Sequence, residues 1–200
     1  MRAIKDFFRN LFAQWLGRRN GVVPTPNTDV VDIPLSQEYL AEIEANDETA
    51  IAYNVCTDDD KLMATASRSA TAEREGINNA ITDKEVTENV RALNRNVLVP
   101  LMAATGWLHT VTSWFRSLVL NTRVGGARTS QHLTGEAVDF RCYERGVRIP
   151  ILTMARKVRD LGLPFDQMIL YGTFLHVSHR RKGKNRGQIL YHSSYNGERL

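Results

Sequence analysis

One stretch limits what this chain can fold into more than any other: Ser130-Gln131-His132-Leu133-Thr134-Gly135-Glu136-Ala137-Val138-Asp139-Phe140. A histidine and an aspartate stand seven residues apart, with a glycine between them and a small apolar run leading into the aspartate. Residues 137–142 read as a strand, and the polar residues before them as an irregular turn. Side chains alternate faces on a strand, so Asp139 and Arg141 look one way and Phe140 and Cys142 the other. A turn that folds His132 back over this strand brings imidazole and carboxylate to one point. Catalytic zinc uses three such nitrogen and oxygen ligands and leaves its fourth position to water.

A second stretch supplies the third ligand. Residues 173–179, Thr-Phe-Leu-His-Val-Ser-His, alternate apolar and polar over a short span and predict another strand. His176 and Ser178 share one of its faces, Val177 and His179 the other. Laid beside the Asp139 strand, it puts His176 with His132 and Asp139. His179 then reads as a surface residue outside the ligand set.

Taken together, Ser130-x-His132-x-x-Gly135-x-Ala137-x-Asp139 and the late Leu175-His176-Val177-Ser178 resemble the D-alanyl-D-alanine zinc carboxypeptidase and endolysin family, whose fold is related to the hedgehog signalling domain. The similarity takes in Ser113-Trp114-Phe115-Arg116-Ser117, Asn121-Thr122-Arg123-Val124-Gly125-Gly126 and Phe165-Asp166-Gln167-Met168-Ile169, and covers roughly residues 62–192. The resemblance implies a zinc peptidase cutting D-amino-acid-containing peptide bonds of peptidoglycan. It implies His132, Asp139 and His176 as metal ligands and Arg116 as a contact for a substrate carboxylate or oxyanion. Ser130 and Gln131, beside the first ligand, become candidate substrate contacts.

The family also places a glutamate close to its third ligand to move the proton of the attacking water. Here the approach to His176 is Leu170-Tyr171-Gly172-Thr173-Phe174-Leu175, with no carboxylate. Asp166, at the start of the same hairpin, and Glu136, inside the first motif, are the candidates for that work. The remaining alternative is a relative that is weak or inactive as an enzyme and serves as a virion structural or cell-wall-binding protein.

Charge and composition bound the partners. The net charge of +4 sits at the ends: residues 1–19 carry five cationic side chains against one acidic, residues 178–200 six against one, and the interval between is acidic. Basic ends suggest an anionic partner, whether cell-wall polymer, lipid head group or nucleic acid. No stacking platform or nucleic-acid motif accompanies the basic run 179–187, so that segment reads as a solvated hairpin tip near the substrate channel. Two cysteines, Cys56 and Cys142, are too few for a disulfide framework and read as free thiols. No apolar run approaches the roughly 18 residues that span a bilayer.

The chain divides into residues 1–19, a linker with a short helix over 20–61, and the zinc peptidase-like domain over 62–200. In the first segment Ile4, Phe7, Phe8, Leu11, Phe12, Trp15 and Leu16 recur at three- and four-residue steps, predicting an amphipathic helix. It has two readings: lying on an anionic membrane surface, or docking onto this protein's own body or a virion partner. It lacks the apolar core and cleavage site of a secretory signal, so the expected location is the cytoplasm until release, or the virion of a phage. Pro24, Pro26 and Pro34 mark the linker, and a short helix is expected over 36–46. The acidic residues 47–60 lack the glycine and distal glutamate of a calcium loop and read as a solvated loop.

Thr82 and Glu85 form a Thr-x-x-Glu capping box for a helix striped by Val86, Val90, Leu93, Val97 and Leu101, with Pro100 expected to kink or end it. A strand follows over 108–115, with His109, Val111 and Ser113 on one face and His109 outside the ligand set. Pro150 opens a helix buried through Ile151, Met154, Ala155, Val158 and Leu161; strands follow from 168 and over 188–192. Mixed helices and strands with late hairpins predict an α+β fold: a small, largely antiparallel sheet with flanking helices.

Overall fold

The computed structural model describes residues 58–200. The expected amphipathic helix over 1–19, the linker, the helix over 36–46, Cys56 and most of the acidic run lie outside the described residues.

The aspartate triplet turns out to start a helix instead of sitting in a solvated loop. Asp58 caps α1, Asp59–Ser67, its carboxylate accepting from the backbone N–H of Asp60 and Lys61, and Asp59 pairs with Arg91 of a later helix. Acidic residues belong there, because the first-turn amides carry partial positive charge. After the short helix α2, Ala70–Glu75, comes α3, Lys84–Leu93. Its cap is Asp83, one residue beyond the expected threonine. The Asp83 carboxylate accepts from the N–H of Glu85 at 2.6 Å and of Val86 at 3.2 Å, leaving no role for a Thr82–Glu85 box.

The stripe of α3 runs on through a π-helical turn, Asn94–Leu98, into α4, Val99–Thr105. In that turn Val99 N–H reaches back to the Asn94 carbonyl, five residues away. Pro100 follows at once. The wider turn accommodates a residue that has no N–H and whose ring would clash with the preceding carbonyls, so the helical stretch runs on through Pro100 without ending there. Val90, Leu93, Val97 and Leu101 are all fully buried.

The sheet has the order β1-β2-β5-β4-β6, with β3 off the far end of β2. Its strands are β1, Leu108–Ser113; β2, Ala137–Glu144; β3, Val147–Arg148; β4, Gln167–Leu170; β5, Leu175–Ser178; and β6, Gln188–Tyr191. All pairings are antiparallel except β4 with β6. That one parallel pair corrects the expected hairpin tip: segment 179–187 crosses the end of β4 to reach its far side. One face of the sheet, carrying Val138, Phe140 and Cys142 of β2, Leu175 and Val177 of β5 and Met168 and Leu170 of β4, forms a single core. Into it pack α1, α3, α4 and α5, Ile151–Asp160. Burying a side chain of this size contributes roughly 1.5–3 kcal/mol, so the helical layer fixes which face of β2 and β5 is left for chemistry. Asp139 and His176, being odd in register with this core, face the opposite side.

Candidate metal centre

Asp139 and His176 are directly opposed partners in the β2–β5 ladder. Opposed residues on neighbouring strands hold their side chains side by side, and the Nδ1 of His176 lies 2.7 Å from Asp139 Oδ1. His132 arrives from a 3-10 turn, Gln131–Thr134, that Gly135 ends at φ 71°. A Cβ at Gly135 would stand 2.9 Å from Val90 Cγ2 and 3.0 Å from the Val86 carbonyl. Only glycine lets the turn close onto α3 and fold His132 back over β2. His132 Nε2 then lies 3.3 Å from the same Asp139 Oδ1.

The donor atoms of His132, Asp139 and His176 all lie within 4.8 Å of one another, and each residue is at least nine-tenths buried. Their orientation is fixed from outside. His132 Nδ1 donates to the Trp114 carbonyl at 2.6 Å, which leaves Nε2 as an unprotonated lone pair facing inward. Arg116 donates through Nη2 to Asp139 Oδ2 at 2.8 Å and through Nε to Ser113 Oγ at 2.8 Å, leaving Oδ1 for the centre. Two imidazole nitrogens and one carboxylate oxygen, with outer hydrogen bonds holding the far atoms of His132 and Asp139, are the donor set of a catalytic zinc. The residues fit that ion.

Electrostatics agree with a cation site. Burial holds His132 below the ordinary imidazole range, against the attraction of Asp139. Burial works to raise the Asp139 pKa, but the charges and hydrogen bonds of the two histidines outweigh it, and the carboxyl lies well below its usual range. Metal ligands must be deprotonated to bind, and both shifts favour the deprotonated forms.

The other residues singled out by sequence fall in several places. Arg116 is at the centre, set against Asp139. Ser130 Oγ accepts from His132 N–H at 3.3 Å and so caps the ligand turn. Gln131 accepts at its backbone carbonyl from Glu136 N–H, and the residue is one of those lining a cleft of about 330 Å³ with Arg128, Ser130, Glu136 and Arg180. Glu136 accepts from Thr134 Oγ1 at 3.1 Å. Asp166 is fully buried and faces the crossover segment. Its carboxylate takes Arg186 through Nε at 2.9 Å, Nη2 at 2.5 Å and the backbone N–H at 3.1 Å, with Arg180 Nε at 3.2 Å. Burial pushes its pKa up, but these donors outweigh it and hold the carboxyl low.

His179 corrects the expectation of a surface residue. It is buried, donating through Nδ1 to the Pro164 carbonyl at 2.7 Å and accepting at Nε2 from Asn96 at 3.0 Å. The π-helical turn and the loop before β4 close over it. It stands outside the metal group, as does His109, which is buried against Phe140.

Two features were hidden from a reading of residues alone. A register shift between Val111 and Ser113 puts Ser113 opposite Asp139. Strict alternation would have left Ser113 on the face of His109, whereas the bulge turns it to the site, where it holds Arg116. The register also lines up a second row beside the ligands. Residues 174 and 171 follow His176 and Ile169 at the end of the β4–β5 ladder, with Arg141 two residues beyond Asp139 and His192 just past β6. Tyr171 lies in this row between two rings, 4.3 Å from Phe174 and 4.3 Å from His192.

Among curated proteins none matches the chain. A protein-family comparison gives one match, to the model described as peptidase M15, over residues 62–178. The matched interval contains all three ligand residues, Arg116 and Tyr171.

Proposed function

The chain belongs to the peptidase M15 family, a family of zinc-dependent peptidases, and from that premise we propose that it hydrolyses D-amino-acid-containing peptide bonds of peptidoglycan, as a phage-type endolysin or a D-alanyl-D-alanine carboxypeptidase. The observation that carries the reading is the buried convergence of His132, Asp139 and His176 within 4.8 Å. Zinc held there supplies Lewis-acid activation of water and of the scissile carbonyl.

The chain's own residues do the rest. The Trp114 carbonyl keeps His132 in the tautomer that points a lone pair inward. Arg116 neutralises the outer oxygen of Asp139 and stops the carboxylate from rotating. The cleft lined by Ser130 and Gln131 begins at the ligand turn, and we assign it to the peptide on one side of the cut bond. Asp166, held by two guanidinium groups, is placed to fix the crossover that carries β6. The proton of the attacking water needs an acceptor, and Glu136 and Asp166 are the two carboxylates that the sequence brings forward for it.

One observation favours a second reading, a non-catalytic cell-wall-binding or virion structural protein: the hairpin before His176 carries no carboxylate. Turnover separates the two. Zinc-loaded protein incubated with purified peptidoglycan is expected to release new amino termini, to stop on chelation and to resume on adding zinc. Release of no peptide between pH 5 and 9 by zinc-loaded protein would establish the binding role instead. The basic amphipathic segment 1–19 is proposed to hold the protein at an anionic membrane surface or a virion partner, which fits release from the cytoplasm or carriage in a phage particle.

A further inference from the structure

Tyr171 occupies a position that neither the fold nor the core requires. It stands one residue past β4, its N–H donating to the Phe174 carbonyl at 3.2 Å. Its side chain shares the sheet face of Ile169, which is the register partner of His176. Same-face neighbours along a strand are two rises apart, roughly 7 Å, a distance that a tyrosine side chain spans. The register sets that side chain on the sheet face of His176 and its partner Asp139, and the charges of Asp139 and Arg116 both act on the phenol. Among the described residues the phenol oxygen has no hydrogen-bond partner.

The ring is held in place with some care. Phe174 and His192 sandwich it at interplanar angles of 19° and 23°. His192 is in turn fixed by Ser194, whose N–H donates to His192 Nδ1 at 3.1 Å and whose hydroxyl accepts from Gly172 N–H at 3.2 Å. A stacked ring can slide little, so the hydroxyl is a positioned donor. Burial and the negative charge of Asp139 keep it protonated, which suits a donor and not a base. Arg116 already spends two donors on Ser113 and Asp139.

We propose that Tyr171 is a catalytic residue of this site, its phenolic O–H donating a hydrogen bond to the scissile carbonyl oxygen as negative charge develops there. The proposal rests on the peptidase reading. No bond to Tyr171 forms or breaks: the phenol keeps its proton, and the hydrogen bond shortens as the carbonyl carbon becomes tetrahedral. Donors aimed at a developing oxyanion are typically worth about 10²–10³ in rate.

The test is Tyr171→Phe, which keeps the ring stack and removes only the hydroxyl. With soluble muropeptides, kcat is expected to fall about 10²–10³-fold while KM and the zinc content stay as in the wild type. A readout independent of turnover is the affinity for a phosphinate isostere of the bond that is cut, whose tetrahedral oxygens stand in for the oxyanion. It should weaken by a similar factor in Tyr171→Phe, with substrate affinity unchanged. His192→Ala, which loosens the stack and leaves the hydroxyl, should give a smaller loss of kcat. Equal kcat and equal phosphinate affinity in wild type and Tyr171→Phe would overturn the proposal and leave the peptidase reading standing. A zinc-loaded wild type that cuts nothing would overturn both.

Discussion

Arg116 shows how a residue can be found from sequence while its partners within the protein stay hidden. Resemblance suggested a contact to substrate, whereas the structure sets its guanidinium against Asp139 and Ser113. The two roles differ in what they do to the metal. Outer-shell partners of ligands are typically worth 10–100-fold in metal affinity, so Arg116→Ala should weaken zinc binding by about that factor in competition with a chelator. Unchanged zinc affinity with impaired turnover would return Arg116 to the substrate. Asp166 poses a similar choice. Losing charge-assisted hydrogen bonds to a buried carboxylate costs roughly 1–3 kcal/mol, so a clamp predicts that Asp166→Asn lowers Tm while each folded molecule retains its turnover. A proton acceptor predicts an unchanged Tm and a loss of about 10²–10⁴-fold in kcat. The type of each residue was legible in the chain; its partner was set by a bulge and a crossover that alternation alone does not announce.

Among the elements, the turn from Ser130 to Gly135 is the one most exposed to small changes. Its glycine sits at φ 71° with α3 packed against it. An alanine there meets Val90 and the Val86 carbonyl and takes a backbone conformation that costs of order 1–3 kcal/mol. Gly135→Ala should therefore lower stability by at least about that amount and lower zinc affinity too, because the turn carries His132. A variant with wild-type Tm and zinc affinity would show that the turn closes another way. The ligand strands and the α3 stripe could be read from the sequence because period 2 and period 3.6 are strong local signals. The start of α3 was misread by one residue, since Thr82 and Asp83 are both capping types and only the geometry shows that Asp83 reaches Glu85 and Val86. A strand over 188–192 could be read from the sequence, but its parallel pairing with β4 could not, because segment 179–187 has the composition of a hairpin loop and its true partners, Asp166, Asn89 and Glu85, are distant in sequence. Tyr171 was passed over for the same kind of reason: its face depends on the pairing of Ile169 with His176.

Residues 58–200 join one helical layer to one sheet face and leave the other face for the metal, so the stability of this part should carry the mark of what it buries. His109 is enclosed with Phe140, and burial pushes its pKa down to about 4 from 6.5. Its folded pKa is thus below its unfolded one, so the unfolded chain binds the extra proton. Stability should be full above about pH 6.5 and fall as pH drops towards 4, by up to about 3 kcal/mol from this residue. Urea unfolding of His109→Leu over that window should show a shallower pH slope than the wild type; parallel slopes would show that His109 is not the titrating group. The fold class was open to inference from mixed periodicities, and the ligand triad from three residues on two strands and a turn. His132, Asp139 and His176 are expected to hold one zinc ion, which native mass spectrometry of the intact chain counts. One zinc per wild-type chain, none in His132→Ala, Asp139→Ala or His176→Ala, and one in His179→Ala is the predicted result. No zinc in the wild type, or one zinc retained in all four variants, would contradict it.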